Sequence, residues 1–581
     1  MPAVATRVIV YSHRRERYEP VSATTMLYRA AVDACRQGRP SYDQLTDFLI
    51  RTGELESAVM DVLCADADDI PPMAESLRAA TLAIGEAFVA SAAMEPVQCD
   101  AAFGRFADRL RQLAATPLPR HATVGLQEGY ALFNVRPESY VAAARTFLGQ
   151  CHPSRVTCLG IRAIGASLSA VVVAALHGSG IRVRSATVRP HGDPWDRTLT
   201  VTAAMAAWLR QWNDQYVAII DEGPGMSGST MTAVATAMMS LGVPANRIAL
   251  FPSWPGRPGQ FASSDARDLW PRLLSFPADA GAVDDTGADW VDISGGRWRT
   301  LLPGMPASAE LIAVNPSHER RKHMVPVPDR IVRFAGLGSY GQAALKRAES
   351  LAAEGFGPPP VALDRGFLHQ MFIGGRPATV SDVSDAVLDR LACYLAWLRR
   401  TQQTGAPAQP ESLAEMTCHN LTEGTGCVSN DVIHRYLQLL PLDEPAVAVD
   451  GRMLPHEWIV SGDTLVKTDA LDHHRDDFFP GTHDIAWDVA GTIIEFGLGT
   501  RDERWFLDRY ADQSGDRHID GRLPLYRLAY GAYRLGYTSM SLAMLHGTRE
   551  ARAFELLQER YRGAVTRDLV AAGLSALPSG R

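Results

Sequence analysis

A chain of 581 residues exceeds one ordinary domain, and three or four are expected. A hydrophobic fraction of 46% beside 21% charged residues is that of a soluble globular protein, and no apolar run reaches membrane-spanning length. A formal net charge of −8 argues against nonspecific nucleic-acid binding as the main task.

Eight cysteines are scattered with no C-x-x-C, and the opening M-P-A-V-A-T-R has no signal-peptide core. The expectation is a cytoplasmic protein with reduced, buried thiols. Residues 1–120 read as helical. Apolar residues recur at helical spacing over 23–35, 42–52, 77–93 and 100–115, with few glycines. The acidic run 66–69, closed by Pro71 and Pro72, reads as a loop. Tyr11, His13, Arg14 and Arg15 form a polar edge.

From Val124 the pattern becomes alternating strand and helix, the signature of an α/β sheet. Strands are expected over 130–135, 156–161 and 183–188, with helices over 137–149 and up to Leu176. The second strand runs into a Gly/Ser corner that holds Arg162, Gly165, Ala166 and Ser167. The third runs into a loop from Arg189 to Arg197, with His191, Asp193 and Asp196 between Pro and Gly breakers. Such loops are exposed and collect binding residues.

The stretch that organises the chain is 217–232. Four apolar residues, Val217 to Ile220, read as a buried parallel strand. Asp221 and Glu222 follow, then Gly223-Pro224-Gly225-Met226-Ser227-Gly228-Ser229-Thr230 and a helix-like run. A tight Gly/Ser turn opening a helix gathers backbone N–H groups at the positive helix end, which suits a phosphate. Two acids at the strand's carboxyl end suit a pair of vicinal hydroxyls. Gly223, Gly228 and Thr230 also sit at P-loop spacing, but Ser229 stands where that motif needs lysine.

The stretch resembles the PRPP-binding motif of type I phosphoribosyltransferases (PRPP is phosphoribosyl pyrophosphate). That resemblance implies an α/β domain over 121–300 that transfers phosphoribosyl from Mg²⁺–PRPP to a small-molecule acceptor whose class no motif specifies. It implies Asp221 and Glu222 at the ribose, and Gly225, Met226, Ser227, Gly228, Ser229 and Thr230 at the 5-phosphate. Gly165, Ala166 and Ser167 would cradle pyrophosphate, with Arg162, Arg189 and Arg197 neutralising it. A strand over 247–251 leads to a Pro/Gly loop with Trp254 and Arg257 on the same sheet edge.

Residues 301–329 read as a linker. Beyond it come a strand over 331–334, the weak glycine pattern Gly336-x-Gly338-x-x-Gly341, a helix over 342–354 and a hairpin over 361–373. Helices are expected over 384–400, 431–440 and 497–570. The order resembles the aminoglycoside-phosphotransferase (kinase-like) fold across 330–581. Arg333 then stands where that family offers a phosphate-binding lysine, with Glu349 on the facing helix. Val449-Asp450-Gly-Arg452-Met-Leu-Pro455-His-Glu457 resembles its catalytic loop with three departures: Asp450 at the His position, Arg452 at the catalytic Asp, and Glu457 at the metal-binding Asn. Asp469 resembles the Mg²⁺-binding Asp, so the metal pair is Asp469 and Glu457. His483 to Ala490 resembles the fold's structural D-x-A segment. Asp472, His473, His474, Asp476 and Asp477 read as a polar loop.

A cation where the attacking hydroxyl needs a base argues against ordinary phosphoryl transfer and for an altered nucleotide binder. The fold class expected is α/β and α+β multidomain: a helical N-terminal region, a parallel-sheet domain and a two-lobed kinase-like domain with Mg²⁺ and ATP as its ligands. Nucleic acid and membrane are not expected as partners. Two alternatives stand beside the main reading: a bifunctional phosphoribosyltransferase and kinase, and a non-catalytic nucleotide-binding regulatory protein.

Overall fold

The computed structural model describes residues 15–193, 195–225, 227–257, 262–279, 290–301, 312–326, 329–426, 430–441, 443–476, 479 and 481–573. Tyr11, His13, Arg14, Met226 and Asp477 lie outside them. The described chain divides into two compact units, one of Arg15–Gly287 with Gly336–Gln342, the other of Ala288–Ala335 with Ala343 onward.

The first unit opens with four long helices, Pro20–Gln37, Tyr42–Leu63, Pro72–Ala92 and Pro96–Ala114. Three begin on proline, whose missing N–H costs nothing at a helix start. The fourth start is a reciprocal cap between Ser41 and Gln44. The second helix runs eleven residues past the expected end at Thr52, through Gly53. The reason is tertiary: a Cβ on Gly53 would lie 2.9 Å from Cβ of Ser167. Gly85 in the third helix likewise faces Ala170 at 2.9 Å. Both glycines let their helices press onto the helix Ile164–Gly178. Buried Arg78 ties these parts together, donating to Glu56, Ala166 O, Ser169 and Ser185. The helical region therefore shares a unit with the α/β part instead of forming a domain that ends at 120.

The sheet of this unit is parallel, with strand order Arg182–Val188, Arg155–Ile161, Tyr216–Ile220, Ile248–Phe251, Leu274–Ser275. Its central strands are buried nearly end to end, as their unbroken apolar runs require. The expected strand over 130–135 is absent. Glu128–Ala131 is one helical turn, and Tyr130 is a core residue whose hydroxyl meets Ser167 Oγ at 2.9 Å. The basic loop after Val188 is a short exposed hairpin, His191–Asp193 with Asp196–Thr198. The glycine segment Gly336–Gln342 is folded into this unit: Leu337 N–H bonds Tyr130 O, and Ser339 N–H bonds Asp47 at 2.8 Å. Amides with such partners do not form a phosphate cradle.

The second unit carries a five-stranded antiparallel sheet in the order Val291–Asp292, Lys322–Pro326, Asp329–Phe334, Phe367–Met371, Pro360–Asp364. Lys322–Pro326 lies in the stretch read as a linker; its pairing with Asp329–Phe334 makes it structural. A smaller sheet joins Arg376–Pro377, Trp458–Ser461 and Thr464–Lys467. Helices Asp385–Thr401, Glu411–Thr425, Asn430–Gln438, Ala486–Glu495, Thr500–Ser514, Ile519–Met544 and Arg549–Ala571 also belong to it. One apolar core runs from Leu368 through Trp458 and Trp487 to Val565.

Candidate functional site

Chain order sets the first location. The first strand of the parallel sheet, Arg155–Ile161, is internal; the chain steps one way to Arg182–Val188 and the other way to Tyr216–Ile220. Open α/β sheets bind ligands outside the carboxyl ends of the strands where this reversal occurs. The two corners that leave Ile161 and Ile220 flank that point. They are the two corners singled out by their Gly, Ser and acidic residues.

Asp221 follows the strand directly and is half-buried. Loss of solvent pushes its carboxyl up to about 7, against the pull of the Glu222 N–H, Arg189 and Arg197. Glu222 Oε2 accepts the N–H of Gly129 at 2.5 Å. Gly129 is needed there, since a Cβ would stand 2.5 Å from that oxygen. The helix Ser229–Ser240 starts at Gly228, which has φ 66°. Ser227 and Ser229 are buried and bond each other at 3.0 Å, so their hydroxyls shape the turn. Gly225 is exposed and Thr230 half-buried, the open positions among the described residues of 225–230.

The cations differ in what they can reach. Arg189 sends Nε to Asp61 at 2.7 Å and its backbone N–H to Asp68 at 2.6 Å. Arg197 donates to Pro190 O across the hairpin. Arg162 is a correction: its side chain is fully buried and bonded to Asp61, Asp68 and Thr187 O, so it has no reach to a pyrophosphate. Gly165, Ala166 and Ser167 are also corrected. They lie in the first turn of a buried helix, with Gly165 against Ile220 O and Ser167 against Tyr130. Only Ala163 in that corner, between Arg162 and Ile164, keeps partial exposure. Of the orienting partners, Asp68 falls in the acidic run expected as a loop, and Asp61 lies between the helices expected from the sequence. Spacing carries no signal for them, because they act 94 to 128 residues away in sequence.

The second unit holds a separate cleft, open to solvent, whose lining includes Arg320, Lys322, Arg333, Arg452, Glu457 and Asp469. Arg333, on its antiparallel strand, bonds Asp469 and Asp472, each at 2.6 Å. Glu349 is exposed, so the expected pairing with Arg333 does not form. Arg347 is the inward residue of that helix and bonds Ala470 O and Ala448 O. The loop from Asp450 is held from below: Asp488 accepts the N–H groups of Asp450 and Gly451, and Trp487 donates to Gly451 O. His473 and His474 are buried rather than part of an exposed polar loop. Burial lowers His456 to about 3 and His318 to about 4, so both line the cleft as neutral imidazoles at pH 7.

Lys467 is the residue the sequence did not flag. Its Nζ is fully buried, 3.3 Å from Asp450 Oδ1 and 3.1 Å from Arg452 O, and bonded to Glu457. Burial opposes the charged forms, yet Lys467 lowers the Asp450 carboxyl, and Lys322 and Arg333 hold Asp469 far below its ordinary value. Mg²⁺ needs near-octahedral oxygens at about 2.0–2.1 Å. Glu457 and Asp469 give their oxygens to protein cations instead, so the expected metal pair does not fit Mg²⁺ as it stands.

No family model and no curated protein matches the chain. Solved structures similar to part of it include the choline kinase LicA from Streptococcus pneumoniae, at 15% identity over 42% of this chain and 90% of that one, with TM-score 0.31. A choline/ethanolamine kinase family protein from Mesorhizobium loti is similar at 15% identity over 47% and 97%, with TM-score 0.33. A Plasmodium vivax ethanolamine kinase is similar at 14% identity over 48% and 84%, with TM-score 0.28.

Proposed function

We propose that the chain is a two-site small-molecule transferase. The first unit binds PRPP and moves its phosphoribosyl group to a small acceptor. The second is a kinase-like, nucleotide-binding module that does not carry ordinary phosphoryl transfer. The observation that carries the first part is the position of Asp221. An acid raised to about 7 stands at the reversal point of a parallel sheet, beside a glycine-led helix start. A carboxyl that burial destabilises as an anion favours a ligand that restores its partners.

In this reading the open Gly225 and Thr230 positions and the helix start hold the 5-phosphate. Asp221 and Glu222 accept from the ribose hydroxyls. As the C1–oxygen bond to pyrophosphate breaks, its electron pair leaves with pyrophosphate, and Asp221 faces the positive charge left on the sugar. Arg189 and Arg197 receive the departing anion by charge-assisted hydrogen bonds. No protein nucleophile is needed; positioning and electrostatics supply the rate. Calorimetry with PRPP tests this: binding near 1:1 with release of pyrophosphate on turnover supports it, and no heat at millimolar PRPP rejects it.

The second part rests on Arg452. A guanidinium occupies the place where a general base would take the proton of an attacking hydroxyl. A working kinase is the second reading, favoured by Asp469 on the cleft wall. ATP consumption that disappears in Asp469→Ala would establish it over the first.

A further inference from the structure

The acids of the second unit's cleft are grouped closely enough to hold a metal. Asp450, Glu457 and His473 offer ligand atoms within 4.8 Å of one another, and so do Asp469, Asp472 and His473. In each group the centre is taken. The ammonium of Lys467 sits among three oxygens: it donates to Glu457 and to the carbonyl of Arg452, and it pairs with Asp450 at 3.3 Å. The guanidinium of Arg333 forks across Asp469 and Asp472. Both cations are buried on well-formed segments, Lys467 at the end of a strand and Arg333 within one. A divalent ion entering either place would first have to expel the resident cation, leaving a buried ammonium or guanidinium without its anion.

The charge balance of the wall points the same way. Arg320, Lys322, Arg333, Arg452 and Arg534 line the cleft against Glu319, Glu457, Asp469 and Asp472. Behind them Lys467 offsets Asp450. Arg452 has the loosest pairing of the lining cations: its carboxylate contact is Asp476 at 3.8 Å, and a quarter of its side chain faces solvent. A fork of five N–H donors in that position recognises phosphate oxygens.

We propose that this cleft binds a phosphate-bearing ligand without a divalent metal, with Lys467 and Arg333 permanently in the places a metal ion would take and Arg452 contacting the anion. The inference deepens the reading of the cleft as a nucleotide site. Its ligand class is a nucleoside polyphosphate or another compound with a terminal phosphate. The lysine serves as a built-in counter-ion: its single charge offsets one of the two carried by Asp450 and Glu457, so the wall repels an anion less when no metal is present.

The experiment is calorimetry of the full chain with ATP, once in EDTA and once in excess Mg²⁺. The expected result is dissociation constants within about twofold of each other in the two buffers, and at least about tenfold weaker binding in Arg452→Glu. Affinity that collapses in EDTA by tenfold or more overturns metal independence while leaving the nucleotide site standing. No binding in either buffer removes the nucleotide site and the inference with it. ATP binding unchanged in Arg452→Glu overturns the placement. A second measurement uses Mn²⁺ alone. Lys467→Met, which keeps the length and removes the charge, is expected to gain one Mn²⁺ site by spin resonance that the unsubstituted chain lacks. An equal Mn²⁺ stoichiometry in both proteins overturns the claim that the lysine holds the metal position.

Discussion

The two units treat carboxylates in opposite ways. In the first, Asp221 stands at a sheet edge with its carboxyl raised to about 7, because neither Arg189 nor Arg197 forms a tight pair with it. In the second, Asp469 is held far below its ordinary value by Lys322 and Arg333, and Asp472 is lowered by Arg333 and Arg320, in each case against the upward push of burial. Burial alone raises an acid; a fixed cation alongside it reverses the sign. The first arrangement leaves charge to be completed by a ligand. The second is complete already, and a ligand must find what remains open.

The sharpest test of that contrast is the double change Asp221→Asn with Glu222→Gln. Each charged hydrogen bond lost is worth roughly 1.5–3 kcal/mol, so PRPP affinity should fall by about 10²–10⁴-fold in calorimetry with the melting temperature unchanged or raised. Retained affinity would break the comparison on the first side. On the second side, Lys467→Met leaves Asp450 and Glu457 buried beside each other without their cation. Removing one partner of a buried pair costs about 3–5 kcal/mol, to be read from the urea midpoint. A loss under about 1 kcal/mol would mean the lysine is no structural counter-ion.

Acidity gives a middle-sized effect with a definite sign. Asp221 titrates near 7 when folded and near 3.8 when unfolded. Between those values the folded chain binds the extra proton, so this group's contribution to stability is present at low pH and declines as pH rises toward 7. PRPP affinity runs the other way, because the ligand needs the carboxylate. It should be about tenfold weaker at pH 6 than at pH 8, because a carboxyl near 7 is roughly one-tenth ionised at the lower pH and roughly nine-tenths at the higher, and this component should vanish in Asp221→Asn. Arg197→Ala should weaken PRPP binding in calorimetry by more than it shifts the urea midpoint, since Arg197 donates to Pro190 O within a short hairpin at the surface. The smallest effect belongs to Glu349→Ala. An exposed acid with no role at Arg333 should shift stability by no more than about 0.5 kcal/mol, and a larger loss would restore the strand-to-helix pairing that the structure lacks.

Local patterns carried much of this far. The apolar run Val217 to Ile220 with its acid pair and Gly/Ser turn predicted a buried parallel strand, a tight corner and a helix, and all three are present. The departures of Asp450, Arg452 and Glu457 from the kinase-like loop that this stretch resembles were legible because such a loop is contiguous in sequence. What failed did so for identifiable reasons. Tyr130 to Val135 is rich in apolar and aromatic residues, yet its aromatic side chain is consumed by a core contact with Ser167 and no strand pairs with it. Arg162 looked available because a Gly/Ser corner is usually open. The helices from the N-terminal region close over it and supply Asp61 and Asp68.

Residue order by itself determined most of the strands and helices in the α/β part, that two corners bear acids, small residues and cations, and that Arg452 stands in the loop that resembles a kinase catalytic loop. These are short-range properties, set by periodicity and by neighbours within a dozen residues. Tertiary structure alone decided which charges are free. The carboxylate partners of Arg162, Arg189 and Arg333 lie 94 to 139 residues away in sequence. Whether an ionised group meets a ligand or another side chain depends on that packing, because desolvation and Coulomb terms are fixed by distance in space and not by spacing along the chain.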